Sequence, residues 1–136
     1  MRRIIVPTND EDPAPIVEFI EEQLAGHDFP AKAFFQIQVA IEEVFVNIVR
    51  YSGLAPAGTV EVQCEVLDDP SRAVVRFIDA GVPFDPLTSD DPDISPEGNM
   101  EREGGLGIFM VKKMMDDVSY AYEGGKNVFT ITKNLG

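Results

Sequence analysis

Residues 59–79 read TVEVQCEVLDDPSRAVVRFID, and the way this stretch folds limits every other choice. Val60, Val62, Cys64 and Val66 alternate with Glu61, Gln63 and Glu65, the period-two pattern of a strand with one face on a core and one in water. Asp68-Asp69-Pro70-Ser71 is turn chemistry, and Ala73–Asp79 is a second run rich in apolar and β-branched residues. Strands joined by so short a turn pair antiparallel, because a parallel return needs a crossover of a dozen or more residues.

Towards the N-terminus, Arg3–Val6 is a short strand closed by Pro7, and Asn9–Pro15 is a loop. Ile16, Phe19, Ile20 and Leu24 then recur at helical spacing until Gly26. Asp28-Phe29-Pro30 offers a cap and a first-turn proline to a long helix that runs to about Tyr51 and ends before Gly53, Pro56 and Gly58. Beyond the hairpin, residues 82–103 hold four prolines and eight charges with little apolar periodicity, too long for an ordinary connection and read as a functional loop. Gly104-Gly105-Leu106-Gly107 precedes a helix over Ile108–Met115. Strands Val118–Glu123 and Val128–Lys133 follow, joined through Gly124-Gly125-Lys126-Asn127. Adjacent helices and paired neighbouring strands exclude alternating βαβ units and predict an α+β fold with helices on one face of a mainly antiparallel sheet.

A chain of 136 residues with 44% apolar content and nine phenylalanines suits a single domain spanning 1–136 with one core. No run approaches the ~18 apolar residues of a membrane span, and no apolar segment of a secretory signal follows Arg2 and Arg3, so a cytoplasmic location is expected. One cysteine and one histidine leave no internal disulfide, no cysteine-rich zinc site and no neighbouring Cys/His pair. Cys64 reads as a core-facing strand residue and His27 as a surface residue at a helix end. A formal charge of −13 opposes direct contact with nucleic acid or an anionic membrane. Solubility is the simplest reading of that charge, and a basic protein partner is the functional one.

Three constellations carry chemistry. On the long helix, Phe34, Ile37, Ile41, Val44, Phe45 and Ile48 form the core stripe, while Glu43 and Asn47 share another face about 40° apart, one turn from each other. A carboxylate that accepts a proton thus sits beside an amide oxygen suited to Mg2+; taken alone, the pair reads first as an ordinary polar face. At the strand end Asp79-Ala80-Gly81, an acceptor carboxylate suits the amino group of adenine, and Gly81 lets the backbone approach a flat ring. A plain turn reads the same way. Gly104, Gly105 and Gly107 lie where a helix N-terminus can cradle phosphate oxygens, although neither the P-loop nor the dinucleotide fingerprint is present.

In this order, E-x-x-x-N, D-x-G-x-P-F-D, a long loop and G-G-L-G-I-F-M-V-K-K resemble the GHKL ATPase/kinase superfamily over essentially the whole chain, most of all its small anti-sigma factor serine/threonine kinases. The resemblance implies a two-layer α/β sandwich with a mixed, mainly antiparallel sheet, the Bergerat ATP-binding fold. It implies Glu43 as general base, Asn47 as Mg2+ ligand, Asp79 and Gly81 at the adenine, and Gly104, Gly105 and Gly107 at the phosphates. ATP and Mg2+ are the implied cofactors. The implied partners are a sigma factor and a STAS-type anti-anti-sigma protein, with a homodimer left open. Two departures stand out: Arg50-Tyr51-Ser52-Gly53 where many members read His-Ala-Tyr, and Asn127 where many carry a threonine. Arg102 is either a γ-phosphate contact or a solvated loop residue. The rival readings are a nucleotide-gated binding module that transfers no phosphate and a detached histidine-kinase ATP domain.

Overall fold

The computed structural model describes residues 2–55, 57–88 and 105–136. In chain order these form β1 (Arg2–Pro7), α1 (Ala14–Leu24), α2 (Ala31–Tyr51), β2 (Thr59–Leu67), β3 (Arg72–Asp79), one 3-10 turn (Pro86–Thr88), α3 (Gly105–Met114), β4 (Asp117–Glu123) and β5 (Lys126–Asn134). The strands make one sheet in the order β1-β2-β3-β5-β4, antiparallel at every pairing. The chain therefore leaves β3, crosses to the far edge as β4, and returns by a hairpin to pair β5 with β3. This is the expected α+β architecture.

The alternation in β2 sends Val60, Val62 and Cys64 into the core, where Ala73, Val75 and Phe77 of β3 and Phe129 and Ile131 of β5 join them. Against that face α1 lays Ile16, Ile20 and Leu24, and α2 lays Ile37, Ile41, Val44 and Phe45. Three details depart from expectation. Asp28 does not cap α2: Pro30 occupies the cap position with extended backbone and no side-chain cap hydrogen bond. The flank of α2 that carries Ala40 and Asn47 is buried instead of solvated, in the helix against which α3 packs. And Gly105–Gly107 already form the first turn of α3, which starts before Ile108.

The β4–β5 turn is also shorter than expected. Gly124 and Gly125 take φ of +59° and +79° and close a two-residue hairpin, a geometry that needs positive φ at both positions. Lys126 and Asn127 thus belong to β5, and Asn127 is buried. Lys133, from the same strand, donates to the Met114 carbonyl at 2.9 Å and pins the C-terminal end of α3, where a cation also suits the helix dipole. Most of the expected loop, with Arg102 and Gly104, lies outside the described residues. Among the described residues no helix is long and apolar enough to cross a membrane.

Candidate functional site

The second half of α2, the end of β3, the start of β5 and α3 meet at one cleft of about 380 Å3, counting its open mouth. Val44, Ile48, Ile108 and Phe129 supply apolar wall, and Asn47, Asp79, Tyr120 and Asn127 supply polar groups. A mostly apolar slot with a few convergent polar atoms is the usual form of a small-molecule site.

At one end sits Asp79, 5% exposed. Its Oδ1 accepts the Gly81 N–H at 2.9 Å and the Asn127 amide at 3.0 Å. Its Oδ2 accepts nothing among the described residues. Gly81 is packed against the end of α2: a Cβ there would lie 2.3 Å from the Ser52 carbonyl oxygen, which itself accepts the Val82 N–H at 2.9 Å. Tyr51 and Phe84 stack with centroids 5.6 Å apart, further joining the end of α2 to the segment after β3.

Asn47 is 8% exposed and lines the cleft. No hydrogen bond reaches its amide among the described residues, and no side-chain polar atom there is both sealed from solvent and unpartnered. The amide therefore faces the cleft with its bonding capacity free. One turn earlier, the Glu43 carboxylate rests on the first turn of α3, where a Cβ on Gly107 would meet Oε2 at 2.3 Å. The contact exists because residue 107 has no side chain.

Asn127, marked in the sequence as standing where many superfamily members carry a threonine, is the hub of the Asp79 end. Its Nδ2 donates to Asp79 and, at 2.9 Å, to the Val82 carbonyl. Its Oδ1 accepts the Phe84 N–H at 3.1 Å and the Tyr120 hydroxyl. Burial raises the Tyr120 phenol above its ordinary range; the Phe84 backbone opposes this, while Asp85, Asp79 and Tyr122 add to it. Tyr120 therefore remains a neutral hydroxyl.

Of the residues singled out from sequence, Asn47 and Asp79 share the cleft, Gly81 adjoins Asp79, and Glu43 touches Gly107. Gly105 opens α3, and Gly104 lies outside the described residues. Arg50, from the departing tetrapeptide, pairs with Glu11 at 2.6 Å.

The histidine kinase-like ATPase domain family matches residues 6–133. The chain belongs to that family. This is the GHKL grouping that the motifs resemble. Among curated relatives, serine-protein kinase RsbW of Listeria monocytogenes serovar 1/2a is 30% identical over 105 residues, covering 74% of this chain and 66% of the relative. RsbW of Staphylococcus aureus strain MRSA252 is 31% identical over 105 residues, covering 72% and 64%. The chain thus spans just under two thirds of the length of these relatives. Among solved structures, the RsbU and RsbW domains of Rv1364c from Mycobacterium tuberculosis superpose with a TM-score of 0.65 at 16% identity, over 99% of this chain and 33% of that one. The histidine kinase domain of Erythrobacter litoralis EL346 blue-light activated histidine kinase gives 0.55 at 16% identity, over 96% and 62%. At that identity the two structures establish the family's fold in this chain.

The polar groups at the cleft are of the kinds that the ATP use implied by the family calls for. A free carboxylate oxygen, an unpartnered amide and the first turn of a helix line it or border it, and among the described residues no cluster of three acidic, His or Cys side chains competes as a dedicated metal site. A Mg2+ that takes most of its ligands from phosphates and water needs no such cluster.

Proposed function

We propose that this chain is a Mg-ATP-dependent serine/threonine protein kinase that acts as an anti-sigma regulatory factor. It phosphorylates a STAS-type anti-anti-sigma protein in one state and sequesters a sigma factor in the other. It works as one cytoplasmic domain, without direct contact to nucleic acid or membrane. The observation that carries this reading is the Glu43 carboxylate seated on the glycine turn of α3, one helical turn from the free amide of Asn47. A module that only bound nucleotide would not require a base at that place. Similarity to proteins named serine-protein kinase supports the same reaction.

In this reading the Oδ2 of Asp79 accepts the exocyclic amino hydrogen of adenine, and Gly81 lets the ring lie close to the backbone. Gly104, Gly105 and Gly107 let the first N–H groups of α3 reach the phosphates. The Asn47 amide oxygen is a ligand for Mg2+, which neutralises phosphate charge when bound. The partner's hydroxyl oxygen attacks the γ-phosphorus, the bond to the β–γ bridging oxygen breaks to release ADP, and Glu43 takes the hydroxyl proton.

The test is incubation with Mg·[γ-32P]ATP and STAS-type candidates encoded beside the gene, followed by phosphosite mapping. Label on one serine or threonine of a candidate is expected. ATP-dependent binding of a cognate candidate with no label transferred means a sequestering module instead.

A further inference from the structure

A second hollow lies between the C-terminal end of α1 and the start of α2. It measures about 690 Å3, counting its open mouth, and shares no lining residue with the cleft at Asp79. Phe34, which lines it, precedes Asn47 by about three and a half turns of α2, roughly 20 Å along the axis. Leu24, Ala25, Phe29, Ala31 and Phe34 make its wall apolar, and Glu21 and His27 complete it. Phe35 carries the apolar surface outward, one turn from Ala31 on the same face of α2, and is 60% exposed. An apolar hollow that continues into an exposed aromatic ring is more than the scattered apolar residue that any surface shows.

The rim is acidic. Between Arg3 and Lys32 the chain carries seven carboxylates and no lysine or arginine. Glu18, Glu21 and Glu22 stand together on α1, all exposed, and no ion pair among the described residues involves them. The nearby cations are Lys32 at the start of α2 and Arg2, which lines an adjoining hollow that His27 also borders.

We propose that this groove docks a basic amphipathic helix of a protein partner. The apolar side of that helix enters between Leu24, Phe29 and Phe34 and covers Phe35, while lysines or arginines along its flank meet Glu18, Glu21 and Glu22. This is recognition of a helix in a groove, where aromatic rings at the centre supply affinity and rim charges select the partner and speed its arrival. An acidic helix would set like charges against each other along the rim. A second copy of this chain, at −13, would bring one acidic face against another. The site lies apart from the Asp79 cleft, and its occupation does not depend on the proposed phosphotransfer.

The experiment is fluorescence anisotropy, without nucleotide at 0.15 M salt, of a labelled peptide of about 18 leucines and lysines with leucines at i, i+3, i+4 and i+7, beside its glutamate-for-lysine counterpart. The lysine peptide is expected to bind and the glutamate peptide not. Glu21→Lys and Phe35→Ala should each weaken binding by roughly five- to tenfold. Glu123→Lys, on the far edge strand, changes the net charge as much as Glu21→Lys and should leave affinity within about twofold. No binding of the lysine peptide, equal binding of both peptides, or wild-type affinity in either groove variant overturns the proposal. So does a loss in Glu123→Lys as large as in Glu21→Lys, since net charge alone would then explain the attraction. Amide chemical shifts of the wild type give a reading that depends on no variant: changes centred on residues 17–35 support the groove, and changes centred on the Asp79 cleft overturn it. Sedimentation of the chain alone checks the remaining occupant, because a dimer that Phe35→Ala dissociates would put a second copy in the groove and end the proposal.

Discussion

At Asp79, almost fully buried, one carboxylate oxygen accepts two N–H groups, and the other accepts none among the described residues. An ionised carboxylate only accepts, so it matches the amino group of adenine and opposes the O6 of guanine. Asp79→Ala should weaken ATP by about 1.5–3 kcal/mol, the range for a hydrogen bond to a charged group, and abolish any preference for ATP over GTP in calorimetry. Equal affinities in the wild type would remove the role. Cys64 makes a separate prediction about stability. Burial foremost, with Glu65 adding, pushes its thiol up to about 11 from 9.0. The unfolded thiol ionises first as pH rises, so this contribution to stability is complete below about pH 9 and lost on the way to about 11. Urea melts at pH 8 and 10.5 should show on the order of 2 kcal/mol more alkaline loss in wild type than in Cys64→Val. Glu43, Asn47 and Asp79 were singled out in the sequence through the order of their motifs, since each pattern alone reads as a polar face or a turn. Asn127 was legible as a departure where many members carry a threonine, but its bonds were not, because Asn after Gly-Gly reads as a turn and only the register shows that it lies opposite Asp79.

Between elements, the contact that matters most is α2 against α3. Gly107→Ala introduces a Cβ 2.3 Å from the Glu43 Oε2 into a helix that gains propensity from the change. Thermal stability should therefore hold within a few degrees. Phosphotransfer should fall by roughly a hundredfold, the scale of a misplaced catalytic group, and unchanged transfer would show that the Glu43 position is not critical. On α2 itself, Asn47→Ala should reduce ATP affinity in the presence of Mg2+ far more than in EDTA. An equal loss in both conditions would put the amide in helix packing. The β2–β3 hairpin was legible residue by residue, since alternation and a short turn are local signals. The α2 cap and the start of α3 were not: capping depends on where the chain arrives from, and a glycine-rich stretch that reads as preceding the helix joins it, in a helix held at its far end by Lys133 and along its side by α2.

Over the whole molecule, one core holds the sheet and helices in the arrangement that forms the cleft. Phe77 is fully buried on β3, two residues from Asp79, and its truncation to alanine should cost about 3–5 kcal/mol in denaturant unfolding. A loss under 1 kcal/mol would mean that the site is held by something other than this core. The sheet order placed β5 beside β3, which no local pattern announces, and that pairing is what carries Asn127 to Asp79. The acidity of −13 is legible from composition alone and sets the field that any partner meets. The central claim is transfer of the γ-phosphate with Glu43 as base, and the most direct measurement sets wild type, Glu43→Gln and Glu42→Gln side by side for Mg-ATP affinity and for label transferred to the cognate partner. Glu43→Gln keeps the side chain's size and removes its charge, and Glu42 lies about 100° away around the helix. Affinity should survive in all three, with transfer lowered by roughly 10²–10⁴-fold in Glu43→Gln alone. Transfer by Glu43→Gln at the wild-type rate would contradict the claim.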